Sequence, residues 1–257
     1  MQWMDMRRDE IDAVDRDTPV IVPTAAIEQH SLHLPVSTDT TIVTGICRRV
    51  EAQSPGDVLV TPTLWLGCSR HHRDYPGTLT TQLDHFSASL FDVVDSVLHA
   101  GFRKVLILNG HGGNGAILSV TLEKLQYAHP DRLLIAASYW DIAGPAMAEV
   151  RRSSAGGMGH AGEMETAVML ALDPEHVEMS RAAKDGIQTG SRFTHIDMLG
   201  LGSGPGYVSR VRPFEAMSNH GGFGDPTGAT AEHGEAFLKV IVAGIHRVLG
   251  DLRSGQI

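Results

Sequence analysis

An α/β fold, with a mostly parallel sheet covered on both faces by helices, is predicted by three observations on this chain. Apolar runs of strand length alternate with longer amphipathic segments. The runs are apolar throughout rather than every second residue, as in strands buried on both faces. The 257 residues, 42% of them hydrophobic, suffice for one large buried core. No Pro/Ser-rich linker or abrupt change of composition divides them, so the chain reads as a single domain over 1–257.

The elements follow in order. Val20–Val22 reads as a first strand, Thr41–Ala52 as a helix and Asp57–Thr61 as a second strand. Leu83–Ala100 is a long helix, because Phe86, Leu90, Val93, Val94 and Val97 recur at spacings of three and four. Lys104–Leu108 is the clearest strand, followed by a helix over Asn114–Tyr127 and a strand over Leu133–Ser138. Gly162–Leu172 reads as helical and is stopped by Asp173-Pro174. Glu175 to Asp225 is Gly-rich and irregular, and with Trp140 is the expected source of a lid. Thr227–Leu252 reads as a closing helix with Ile241, Ile245 and Val248 on one face.

Composition excludes several classes. The net charge of −9 comes from mixed signs along the chain, whereas nucleic-acid binding calls for a clustered basic face. No apolar stretch approaches the ~18 residues that read as a membrane span. The N-terminal segment lacks the apolar run of a secretory signal, so a cytoplasmic enzyme is expected. Cys47 and Cys68 form neither a C-x-x-C pair nor a disulfide framework. No G-x-G-x-x-G or Gly-Lys-Ser/Thr loop marks a nucleotide site.

Ligands of such sheets bind beyond the carboxyl ends of the strands, and that is where the informative residues fall. Glu28 and His30 follow the first strand, and Asp39 comes nine residues after His30. His111 follows the apolar run ending at Leu108, in the turn Gly110-His111-Gly112-Gly113. With Glu163 as a fifth member, these make three carboxylates and two imidazoles. A thiolate-free oxygen and nitrogen set of this kind suits two divalent ions, zinc, manganese or ferrous iron, better than calcium. Each residue alone has a plainer reading. Glu28-x-His30 could be a solvated loop, Asp39 the cap of the helix read from Thr41, and His111 a histidine in a tight glycine turn.

The blocks carry a resemblance. Pro23 to His30, His33-Leu34-Pro35, Thr38-Asp39, Tyr75-Pro76-Gly77-Thr78, Asn109 to Asn114, His160 to Thr166 and Gly224-Asp225-Pro226 resemble, in order, the motifs of the creatininase (creatinine amidohydrolase) family. The resemblance runs from about Val20 into the final helix. It implies a creatininase-like three-layer α/β/α fold with a mostly parallel central sheet, a two-metal site and a homohexamer. Carried over, Glu28 and His111 hold one metal and His30 the other, with Asp39 bridging. Creatininase takes a further glutamate where this chain has Gly113, and Glu163 is expected to replace it. Creatininase also has a tyrosine touching substrate where Gly112 stands.

The resemblance implies metal-activated hydroxide attacking a small cyclic or formylated amide. His160 is the expected proton shuttle, and Glu165 is the alternative carrier or orients a ligand. Ser69 and His72 are expected at the substrate, on a rim loop where two adjacent histidines of an extended chain would not face one metal together. Arg70 or Arg73 could meet a substrate carboxylate or phosphate. Other branches of the family act on a dehydro-inositol or a peptide-derived cofactor precursor, and a non-enzymatic metal-binding protein is a third possibility. Neither nucleic acid nor membrane is expected as a partner.

Overall fold

Four short parallel strands carry the architecture, and their ends bring the distant motifs together. The computed structural model describes residues 1–186, 197–199 and 212–257. Its strands are β1 (Val20–Thr24), β2 (Leu59–Val60), β3 (Lys104–Asn109) and β4 (Leu133–Ser138), in the spatial order β2-β1-β3-β4. The helices are α1 (Arg8–Asp12), α2 (Thr38–Gln53), α3 (Leu83–His99), α4 (Gly115–Ala128), α5 (Tyr139–Val150), α6 (Glu163–Leu172) and α7 (Ala231–Ser254).

Successive strand side chains point to opposite faces, so each apolar run feeds two cores. Val20, Val22, Val105 and Ile107 pack with Phe86, Leu90 and Val94 of α3 and Leu118 and Leu125 of α4. Ile21, Leu106 and Leu108 face the other way, onto α2, α5, α6 and α7 through Ile42, Ile46, Met147, Val168, Phe237 and Ile241. This is the expected α/β/α layering. Helix α7 starts where Thr230 accepts a hydrogen bond from the His233 amide (3.2 Å) and stops at left-handed Gly255 (φ 70°).

Three details differ from the sequence reading. Helix α2 begins at Thr38, so Asp39 lies within its first turn and is not its cap. Strand β2 is shorter than the apolar pattern over Asp57–Thr61. Helix α5 is not announced by its sequence, because Gly144 and Pro145 read as helix breakers. Its position is set instead by packing on α7, against which Ala143 and Met147 are buried. The segment read as irregular, Glu175 to Asp225, lies in part outside the described residues, and so does any lid drawn from it. Among the described residues, no helix is long and apolar enough to cross a membrane.

Candidate metal centre

Register places Thr24, Asn109 and Ser138 side by side at the carboxyl edge of the sheet. Asn109 joins all three. Its Oδ1 lies 3.2 Å from Thr24 Oγ1 and accepts from the His111 amide (3.1 Å), while its Nδ2 donates to the His111 carbonyl (2.8 Å) and Ser138 Oγ (3.1 Å). Asn114 continues the network, accepting from the Cys68 amide (3.0 Å) and donating to the Ala25 carbonyl (3.1 Å). A close approach finishes the turn. A Cβ on Gly113 would run into the Cys68 carbonyl and His111 Nε2 and come within 2.8 Å of His71 Cε1, so no residue with a side chain fits there.

Hydrogen bonds on the outer ring nitrogens decide which nitrogen each histidine turns inward. His30 Nδ1 donates to the Glu28 carbonyl (3.0 Å), leaving Nε2 facing Asp39 (3.2 Å) and Glu165 (3.9 Å). His111 Nε2 lies 3.2 Å from Ser69 Oγ and 3.3 Å from the Cys68 carbonyl, leaving Nδ1 facing Asp39 (2.9 Å) and Glu28 (3.4 Å). His160 Nε2 donates to the Gln29 carbonyl (2.7 Å), and its Nδ1 faces Glu28 (3.4 Å). These tautomers are the ones their partners assign. Ser31 and Ala161, which follow His30 and His160, both have positive φ (58° and 53°), and Glu165 accepts the Ala161 amide at 2.6 Å. Non-glycine residues seldom adopt this conformation, so both histidines are held by strained turns.

The groups are buried and electrically crowded. Burial opposes the charge on Glu28, yet His111, His72 and His160 hold its carboxyl well below the usual range. Burial likewise opposes a charge on His30, but Asp39, Glu165 and Glu28 lift it to about 9. Burial, helped by Asp39 and opposed by His30, raises Glu165 to about 7. Burial and neighbouring imidazoles take His72 down to about 3 although Glu28 opposes them. His160 is lowered in the same way by burial, His30 and His72.

This donor set fits divalent cations. Glu28 Oε2, His30 Nε2 and Asp39 Oδ2 are buried and make no hydrogen bond among the described residues; the short His30–Asp39 and His111–Asp39 distances lack its alignment. Buried polar atoms without partners are costly unless something else satisfies them. Ligand atoms of Glu28, His30 and Asp39 lie within 4.8 Å of one another, as do those of His30, His160 and Glu165, and of Glu28 with His71 and His111. All of these but His30 line a cavity of about 330 Å³, also bordered by Trp140, Met198, Phe214 and Phe223.

The sequence-predicted residues divide. Glu28, His30, Asp39, His111, His160 and Glu165 converge, and Ser69 stands behind His111. Gly112 is exposed on the cavity wall, where a Cβ would meet nothing within 4 Å. Glu163 does not join them, contrary to expectation. Its carboxylate accepts from the Arg152 (2.7 Å) and Ser153 (2.9 Å) amides and lies 3.6 Å from His233. Two residues apart on a helix are turned ~200° from each other, so when Glu165 faces the cluster Glu163 faces away. The two adjacent histidines are also corrected: a 3-10 turn over Arg70–His72 brings both His71 and His72 to the cavity, with ring centroids 4.3 Å apart. His72 meets Glu28 (3.3 Å) rather than only the substrate side. Gln29 is not singled out by the sequence, yet its Nε2 donates to the Gly221 carbonyl (2.8 Å) and contacts His72 (2.7 Å).

The model of the creatininase family, described as creatinine amidohydrolase, matches residues 4–249. A mycofactocin precursor peptide peptidase of Mycobacterium ulcerans is 30% identical over 87% of this chain and 81% of its own length. The creatinine amidohydrolase of Pseudomonas putida is 27% identical over 89% of this chain and 87% of its own. A crystal structure of creatininase superimposes with a TM-score of 0.78 at 26% identity, covering 97% of this chain and 96% of that one. Creatininase structures of Mn and Zn-Zn type superimpose at 0.77 and 25% identity, each covering 96% of both chains.

Proposed function

Because the chain belongs to the creatininase family of hydrolases, we propose that it hydrolyses an amide C–N bond with two divalent metal ions held by Glu28, His30, Asp39, His111 and Glu165. The observation that carries this reading is the position of Asp39. One of its oxygens lies 3.2 Å from His30 Nε2 and the other 2.9 Å from His111 Nδ1, so one carboxylate serves two imidazoles. Glu28 completes the His111 side and Glu165 the His30 side. The oxygen and nitrogen donors favour zinc, manganese or ferrous iron. Bound there, such ions supply Lewis acidity and lower the pKa of a water from about 15.7 towards about 7.

The protein's own groups do the rest. His160 has committed Nε2 to the Gln29 carbonyl, so Nδ1 is the atom that accepts a proton and returns it to the departing nitrogen. Backbone N–H groups of Gly112 and Gly113, in the turn ahead of α4, favour negative charge developing on the carbonyl oxygen. Phe214 packs on His72 (4.1 Å between centroids) and His160 (5.1 Å), keeping water from that side.

The family resemblance implies a small cyclic or formylated amide, with a peptide-derived cofactor precursor among its alternatives. The peptidase relative at 30% identity favours a peptide-like amide instead, and we adopt that substrate class. The test is metal content together with release of amine from creatinine, a formamide and short peptides. Two ions per chain and peptide cleavage are expected, with both lost in Asp39→Ala. Wild-type protein that holds no divalent ion, or an Asp39→Ala variant that keeps two, would refute the reading.

A further inference from the structure

Beside the metal centre lies a second, larger cavity, of about 620 Å³, that the chemistry above does not use. The two share His71, Gly112, Gly113 and Phe214. Phe214 is the partition: its ring rests on His71, His72 and His160, and it borders the second cavity as well. The partition is low at Gly112, where a Cβ would meet nothing within 4 Å. A substrate held at the cluster can therefore continue past Gly112 into the second cavity.

The chemistry changes across that wall. On the near side stand Glu28, Asp39 and Glu165; on the far side no carboxylate among the described residues borders the cavity. Leu83, Ala116, Phe214 and Met217 give it an apolar lining, and Leu83 is 52% exposed. Arg70 and Arg212 also line it, and among the described residues no carboxylate lines it beside them. In a chain of net charge −9, two guanidiniums beside an apolar hollow with no carboxylate in its described lining are complementary to an anion attached to an apolar body.

We propose that this cavity is a substrate subsite, binding an apolar group that ends in a carboxylate and lies beyond the scissile amide, with Arg70 and Arg212 holding the carboxylate. This rests on the amide-hydrolase reading for its role, but the binding itself can be measured separately. No bond is made or broken at the subsite; it fixes which amide reaches the ions and in which direction.

The probes are 4-phenylbutyrate and its neutral counterpart 4-phenylbutanamide, with dissociation constants measured by calorimetry or ligand-observed NMR on the full chain. Wild type should bind the acid ~10-fold or more tightly than the amide, as expected for a charge-assisted hydrogen bond. Arg70→Gln/Arg212→Gln should abolish that preference, while Arg70→Lys/Arg212→Lys should retain part of it. Asp39→Asn should leave it in place. A preference that survives the double glutamine change, one that disappears only in Asp39→Asn, or binding of neither probe would overturn the subsite. Arginine-dependent binding in a protein that cleaves no amide would instead refute the hydrolase reading and leave the subsite standing.

Discussion

Gln29 Nε2 lies 2.7 Å from His72 Nδ1, and this contact decides which nitrogen of His72 meets Glu28. An amide NH2 can only donate, so His72 Nδ1 accepts and the proton resides on Nε2, 3.3 Å from Glu28 Oε1. His72 thereby turns an N–H, not a lone pair, towards the carboxylate of the proposed ligand Glu28. Gln29→Ala should lower hydrolysis roughly 10- to 100-fold, the range for partners that orient ligands. Nitrogen-15 NMR of the histidines checks the cause. An unchanged His72 tautomer in Gln29→Ala would show that Gln29 does not set it.

Glu163 and Glu165 should separate cleanly. Glu163→Ala leaves the Arg152 and Ser153 amides without their acceptor, and stability should fall by about 2–4 kcal/mol with two ions retained. Glu165→Ala should lose one ion. Denaturant unfolding paired with elemental analysis reads both outcomes, and loss of an ion in Glu163→Ala would reverse the assignment.

Gly113→Ala should be destabilising by about 1–3 kcal/mol, because the new methyl collides with the Cys68 carbonyl and His111. A glutamate at this position, as the family resemblance would have it, therefore cannot be restored by a single substitution. Thermal melting of Gly113→Ala and Gly113→Glu tests this; wild-type melting of either would remove the steric argument.

Ala161 holds φ at 53°, a conformation that costs an L residue roughly 1–2 kcal/mol. Glycine removes that cost but adds freedom to the unfolded chain. Ala161→Gly should thus melt close to wild type, and Ala161→Val, branched at Cβ, clearly lower. Equal melting of the two variants would mean the turn is not strained.

Asp185 gives the pH dependence. Burial opposes its charge, but the Ser218 hydroxyl and the amides of Asn219, His220 and Gly186 outweigh it and lower its pKa. A depressed folded-state value means the stabilisation is complete above the unfolded value of about 3.9 and is lost as pH falls through the folded one. Asp185→Asn should be less stable than wild type at neutral pH, with the gap narrowing in acid. A gap that widens below pH ~4 would contradict this sign.

Much of the layering is legible because β1 and β3 are apolar at consecutive positions, a pattern few other contexts produce. The strand-end residues Glu28, His30 and His111 follow from that topology. The phase of α6 does not, since Glu163 and Glu165 differ only in rotation about an axis fixed by distant packing on α7. His71 and His72 escape the sequence for a related reason: an extended chain would part them, and only the local 3-10 turn brings both rings to one cavity. Helix α5 is hidden because burial against α7 outweighs the weak helix preference of Gly144-Pro145.

The Asn109 side chain has an evolutionary consequence. One amide stitches Thr24, His111 and Ser138 into a clamp, so the inner geometry is anchored to the sheet's edge rather than to the surrounding connections. Rim segments such as those bearing Arg70 and Arg212 stand outside this clamp, so a change there leaves the inner geometry in place. A lineage built this way can acquire new substrates by changing its periphery alone.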